Sequence, residues 1–495
     1  MKIKQILCVL AFCAAASIAS AQQPARGGRP QLDPSTLTEA QIAQTQVPTA
    51  LYRLAAFYKQ NGDMERLVWS LQRLVALQPN VGDLKLALAT AYASQGEKTK
   101  AYDLLLAMQK QGYGYDLAKN PNFAKIADTR VWTYATDSLA ANLRPFGEGK
   151  VAFTLPKGDT LFESLAFDPK RKQFLVGSVR EGKIYLADKN GKLTDFITPD
   201  AQNGLWSAYA MAIDADGDAL YVASTASVYF KDFNKDDFGK AGVFKFRLST
   251  GKLLDKYLLT PDSQPRTLSS IAVGKDGLVF AADGLRNIIY RLDGGGLKPL
   301  LENPKLTSLR GMALSGDGKI LYFADYSMGV FGVDLAAGKA FDLRYNPAAL
   351  VLGGIDGLYW YDNTLIAIEN GMSPHRVMRL TLGDDGRAIV KAMPLDVANP
   401  AFGLPTYGAI DGDGLYFIAN SQKNEYGTYG TPKDNSKLDA VKVFRSDLRF
   451  AWSNGGVDTR LGTHAHAAPP PLSTSRPGEG RFNNVEGGSQ SVTGN

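Results

Sequence analysis

Two periodicities divide the chain. Between residues 36 and 145 apolar residues recur at helical spacing, and strand-like alternation is absent. From about 148 to 450 the period falls to two, in short apolar runs closed by Asp, Gly and Asn. The first region repeats itself at a shift of 34 residues. Leu54, Ala55, Tyr58, Gly62, Leu67, Leu71 and Pro79 are followed at matching offsets by Leu88, Ala89, Tyr92, Gly96, Ala101 and Leu105. Small Ala55 and Ala89 allow two helices to approach closely, and Gly62 and Gly96 fall where a turn between helices needs a glycine. A degenerate third pair, NPNFAKIADTRVWTYATDSLAANL (120–143), reads as a cap.

The second region repeats a different unit: one residue before a short apolar strand, a turn rich in Asp and Gly, then a second apolar strand. The six copies are ESLAFDPKRKQFLVGS, YAMAIDADGDALYVAS, SSIAVGKDGLVFAAD, RGMALSGDGKILYFAD, DGLYWYDNTLIAIE and TYGAIDGDGLYFIAN, starting at 163, 209, 269, 310, 356 and 406. Such turns between alternating runs are hairpin signals. Six units of this length predict an all-β six-bladed propeller after an all-α repeat domain, an α+β multidomain chain. The strand VAFTL (151–155) has no blade of its own. It is expected to complete the sixth blade and so remove a free sheet edge.

The ends read differently. Lys2 and Lys4 precede an apolar run from Ile6 to Ile18, and Ala19-Ser20-Ala21 fits a signal-peptidase site. Residues 1–21 are therefore expected to be a cleaved signal peptide, 22–35 a linker, and the mature protein periplasmic or secreted with no membrane span. Both cysteines, Cys8 and Cys13, lie in that leader, which excludes thiol catalysis and disulfides from the mature chain. Residues 451–495 are rich in Pro, Gly and Ser and read as disordered. The net charge of +6 comes from scattered residues, a solvated surface and not a nucleic-acid footprint. The three histidines are too few for a His-rich zinc site, and DGGGL (293–297) is a hairpin turn because no helix follows it.

In a propeller the residue before each innermost strand lines one mouth of the channel. These are Glu163, Tyr209, Ser269, Arg310, Asp356 and Thr406. The ends of the second strands return to the same face as an outer ring: Ser178, Ser224, Asp283, Asp325, Glu369 and Asn420. All are polar, which reads as a solvated, ligand-binding face. Two long insertions, STASVYFKDFNKDDFGK (224–240) and NSQKNEYGTYGTPKDNSK (420–437), leave the same face and are expected to arch over the mouth.

The helical repeats resemble the tetratricopeptide repeat. GDTLFESLAFDP resembles the opening of strictosidine-synthase-like proteins, and the sheet pattern is similar to the senescence-marker-protein/gluconolactonase family. GLRNIIYRL (284–292) and SPHRVMRL (373–380) resemble NHL repeats. The lactonase resemblance implies a divalent cation, often calcium, held by Glu163 and Asp356. It also implies metal-dependent lactone or ester hydrolysis, with Asp356 as candidate base and His375 as a possible assistant. The family's Asn ligands are replaced here by Tyr209 or Ser269 and by Arg310. A fixed guanidinium in the ring favours an ion cluster in which Arg310 takes the cation's place and bridges Glu163 and Asp356. Three readings stay open: a hydrolase, a non-catalytic module that binds a small ligand at the mouth and a protein partner through the repeats, and a scaffold.

Overall fold

A computed structural model describes residues 33–450 apart from 263, 275 and 276, so the leader, almost all of the linker and the tail lie outside the described residues. The chain divides into two compact units, 1–143 and 144–495.

Among the described residues the first unit holds six α-helices: α1 (Glu39–Gln44), α2 (Pro48–Gln60), α3 (Met64–Leu77), α4 (Gly82–Gln95), α5 (Lys98–Lys110) and α6 (Arg130–Ala141). α2 with α3 and α4 with α5 are the two hairpins of the 34-residue period. Gly62 and Gly96 end the first helix of each hairpin at φ of +71° and +82°, a conformation that costs other residues steric strain. Ala55 and Ala89 are buried where the helices meet. The Asp63 carboxylate caps α3 by accepting from the Arg66 amide. No helix among the described residues is long and apolar enough to cross a membrane.

The second unit is a six-bladed β-propeller of six four-stranded antiparallel sheets. In blades one to five the strands lie in chain order, starting at the inner strands Phe162–Asp168, Ser207–Asp214, Leu268–Val273, Leu309–Leu314 and Ile355–Tyr361. Blade six has only three strands of its own, Gly408–Asp411, Gly414–Ile418 and Val441–Asp447. Lys150–Leu155 pairs with the third of these as the outermost strand, so the ring is closed by the propeller unit's own first strand. The core is a series of apolar layers between neighbouring blades. Leu175, Val222 and Phe244 fill the layer between blades one and two, and Ile366, Phe417 and Phe444 the layer between five and six. Burying both faces of each sheet explains why second strands such as Ala219–Thr225 are uniformly buried.

Candidate functional site: the channel mouth

Each inner strand begins with a β-bulge, an extra residue opposite the second strand. The register breaks between Phe162 and Ser164, Ala208 and Ala210, Leu268 and Ser270, Leu309 and Met312, and Ile355 and Gly357. Glu163, Tyr209, Ser269, Arg310 and Asp356 stand at these breaks and form one ring. In blade six the Thr406 amide donates to the Ile418 carbonyl while the Ile418 amide donates to that of Tyr407, and Gly408 then pairs with Phe417. The sixth member of the ring is therefore Tyr407, one residue after the expected Thr406. A small residue follows the bulge in every blade: Ser164, Ala210, Ser270, Gly311, Gly357 and Gly408, which line the channel. The crowding is tight, since a Cβ on Gly311 would lie 2.3 Å from the Leu358 nitrogen.

The ring has two dissimilar halves. On blades six, one and two, Glu163 is 3% exposed and accepts a hydrogen bond from the Ser421 hydroxyl. Burial raises its pKa; Lys423, Ser421 and Arg310 oppose the rise, and Asp356 adds to it. The buried Tyr209 hydroxyl donates to Ser227 Oγ at 3.0 Å. The two long insertions meet over this half. The Tyr229 and Tyr426 rings pack edge to face at 6.3 Å. Gly430 lies so close to the other loop that its Cβ would fall 2.1 Å from the Val228 carbonyl oxygen. Arg180 ties the loops down. It donates to Asp159 from Nε and Nη2 at 2.7 and 2.8 Å and to the Tyr229 carbonyl from Nη1 at 2.6 Å.

Blades three to five carry the other half. Ser269 Oγ donates to the Leu309 carbonyl at 3.2 Å. Arg310 Nε is 3.7 Å from Asp356 Oδ1, too long for a hydrogen bond, and this buried nitrogen has no hydrogen-bond partner among the described residues. The guanidinium lies 5.5 Å from the centre of the Tyr326 ring, with the Tyr407 hydroxyl in its field. Burial works against its charge, but Asp356, Tyr407 and Tyr326 outweigh that and hold its pKa above the ordinary value. Asp356 Oδ2 accepts from Asn370 Nδ2 at 3.0 Å; that amide also donates to the Pro405 carbonyl at 2.7 Å and accepts from the Tyr326 hydroxyl at 2.8 Å. Arg310 thus pairs with Asp356 alone and does not bridge to Glu163, whose direct partner is Ser421.

Other expected residues fall elsewhere. Thr406 is buried beside the ring with an unpartnered hydroxyl. The buried Nδ1 of His375 has no hydrogen-bond partner among the described residues, burial lowers its pKa, and no hydrogen bond or ion pair joins it to Asp356 there. The outer ring is not a solvated face. Ser178, Ser224, Asp283, Asp325 and Glu369 have no exposed surface, and their polar atoms order the backbone around them. Asp325 accepts from the amides of Thr307, Ser308, Ser327 and Met328, and Asp283 from those of Thr267, Leu285 and Arg286. Ser178 bonds the Thr160 carbonyl and Ser224 the Trp206 amide. Asn420 joins the Ala440 carbonyl to the Lys442 amide, and Glu369 pairs with buried Arg376. A buried strand end needs its turn amides satisfied, and all of these side chains but Glu369, whose partner is the Arg376 side chain, do that. Asn370, Ser421, Tyr326 and Arg180 were not legible as site residues, because each acts across a blade or loop boundary. Tyr407 carried a signal: the Thr-Tyr-Gly triplet matches Ile-Asp-Gly in blade five.

A divalent cation does not fit this set. Calcium takes six to eight oxygen ligands, commonly several carboxylates. Here one carboxylate faces a guanidinium and is held by Asn370, and the other is bonded to Ser421 in the field of Lys423. Among the described residues no three His, Cys, Asp or Glu side chains gather as a metal-binding group.

No protein-family model matches the chain, and no curated protein matches it significantly. Among solved structures it is similar to the PQQ-bound aldose sugar dehydrogenase of Streptomyces coelicolor, with 16% identity, TM-score 0.40, and coverage of 61% of this chain and 99% of that one. It is also similar to the gluconolactonase XC5397 of Xanthomonas campestris, with 14% identity, TM-score 0.40, and coverage of 62% and 92%. For virginiamycin B lyase of Staphylococcus aureus the values are 15%, 0.40, 62% and 100%. Likeness at this level carries no functional assignment. What the fold and ring themselves define is a six-bladed propeller with a half-covered, polar channel mouth.

Proposed function

We propose that the protein is an exported, metal-independent binding module whose propeller mouth takes a small polar molecule. The carrying observation is the Arg310–Asp356 pair, in which a guanidinium occupies the ring beside a carboxylate that a cation would need. Four ionisable groups share the mouth: Glu163 and Asp356 against Arg310 and Lys423. The leader supports export, and the helical hairpins are the candidate surface for a protein partner. A thermal-shift screen of small polar molecules in chelator tests this reading. At least one should raise the melting temperature of the wild type but not of Arg310→Met. A shift that appears only when calcium is added would contradict it.

A second reading, lactone or ester hydrolysis, is favoured by one observation: a buried acid of raised pKa shares a mouth with a carboxylate and a guanidinium. Asp356 would take a proton from water as its oxygen attacks the carbonyl carbon. Arg310 would face the developing oxyanion, and Glu163 would give a proton to the departing alkoxide. Turnover of a lactone panel that persists in chelator and is lost in Asp356→Asn would establish it; no turnover of any member would dismiss it.

A further inference from the structure

We propose, on the basis of the binding reading above, that the half of the mouth on blades four and five is a subsite for a neutral, hydroxyl-bearing molecule. Its hydroxyl accepts from Arg310 and donates to Asp356. Three observations lead there. First, Arg310 Nε is a buried donor without a hydrogen-bond partner among the described residues. Native proteins rarely leave such a group unmatched, because a lost partner forfeits the water that once served it. Second, its ion-pair partner Asp356 Oδ1 stands 3.7 Å away. That gap is too wide for a direct bond, yet one oxygen atom can lie about 2.9 Å from both. An oxygen there must accept from nitrogen and donate to a carboxylate. A hydroxyl does both; a carboxylate cannot donate, and an ammonium cannot accept.

Third, the two arms are fixed before any ligand arrives. Asp356 is held by Asn370, which is pinned by the Tyr326 hydroxyl and the Pro405 carbonyl. Arg310 rests on the Tyr326 ring. A pre-set donor and acceptor lose little freedom on binding. The charges around them do not select an ion, because Asp356 faces Arg310, and Glu163 in the other half lies in the field of Lys423. The insertions packed over blades six, one and two leave this half as the side that receives the ligand.

Isothermal titration of the mature protein in chelator tests the subsite, with xylitol and myo-inositol as neutral probes. Glucuronate and glucosamine serve as the anionic and cationic counterparts. The expected result is binding of a neutral polyol, with each charged probe at least tenfold weaker. Asp356→Asn and Arg310→Met should each weaken the polyol at least tenfold. Arg310→Lys keeps the charge but has no Nε, and with an unchanged melting temperature should lose as much; Ser421→Ala, in the other half, should change affinity less than twofold. Polyol affinity that survives both Arg310→Lys and Asp356→Asn would overturn the subsite, and so would the absence of binding by any probe. A charged probe that binds tightly and is lost in Arg310→Lys would overturn the subsite while leaving the mouth a binding site. Binding that needs calcium would overturn both.

Discussion

The two halves of the mouth are built from the same bulge position and behave differently. On blades six, one and two the ring residues spend their polar atoms inside the protein. Glu163 is bonded to Ser421, Tyr209 to Ser227, and the insertions seal the surface through Tyr229, Tyr426 and Arg180. On blades four and five the corresponding residues hold one another without closing: Arg310 keeps a free Nε 3.7 Å from Asp356. The difference teaches that ring membership alone does not make a site. A polar group that is fixed but unmatched has binding capacity left, whereas one that is fully matched contributes to stability.

The largest expected effect probes the wall behind the open half. Arg376→Ala strands the buried Glu369 carboxylate, which has no exposed surface. Breaking such a pair costs about 3–5 kcal/mol, read as a lower midpoint in denaturant unfolding. Glu369 and Arg376 replaced together by apolar residues should recover most of that loss. An Arg376→Ala midpoint like the wild type's would show that blade five does not rely on this pair.

The boundary between the halves should respond to pH. Asp396 of blade five accepts from Ser446 of blade six and from the Gly149 amide that leads into the closing strand. Burial raises its pKa to about 6. A carboxyl whose folded pKa lies above its unfolded one binds more protons when folded, so its contribution is complete below about pH 4 and is lost as pH rises through 6. A shift of this size corresponds to roughly 3 kcal/mol. Stability measured from pH 4 to 7 should carry this downward component, and Asp396→Asn should remove it. An unchanged slope in the variant would assign it to another group.

Arg180→Ala should loosen the covered half only. Arg180 is nearly buried and its Asp159 partner is about a quarter exposed, so the loss is about 2 kcal/mol. Amide exchange should rise in 226–240 and 421–437, with the amides of blades four and five unaffected. Exchange that rises evenly round the ring would show that the halves are not independent. The smallest effect is Thr406→Val. Its hydroxyl is buried and unpartnered, so removing it should be neutral or slightly stabilising, by less than about 1 kcal/mol. Tyr407→Phe, one residue on, should weaken ligand binding at the open half, which would confirm the ring register by function.

The fold was legible because the same physical signal was repeated six times: alternating apolar runs, with turns that demand Asp, Gly or Asn. The unpartnered strand at 151–155 also announced the closure. Five bulge residues were legible as the residue before each strand. The sixth was missed because the inner strand of blade six is only four residues long, Gly408–Asp411, and its start was set one residue early. The small residue after every bulge is the feature that fixes the register. The outer ring was misread for a different reason. Alternation marks Asp283 and Asp325 as polar strand ends, but not whether a turn amide or water takes the carboxylate. The Arg310–Asp356–Asn370–Tyr326 arrangement joins blades four and five, and pairing across blades leaves no pattern in a single sequence.

The central claim is that Arg310 stands where a cation would otherwise be held. Calcium titration of the mature wild type and of Arg310→Asn, by calorimetry with thermal melting alongside, tests it most directly. The account predicts no calcium binding and an unchanged melting temperature for the wild type. In Arg310→Asn, with the guanidinium gone and an oxygen added, measurable calcium affinity should appear. Tight calcium binding by the wild type, with a raised melting temperature, would contradict it.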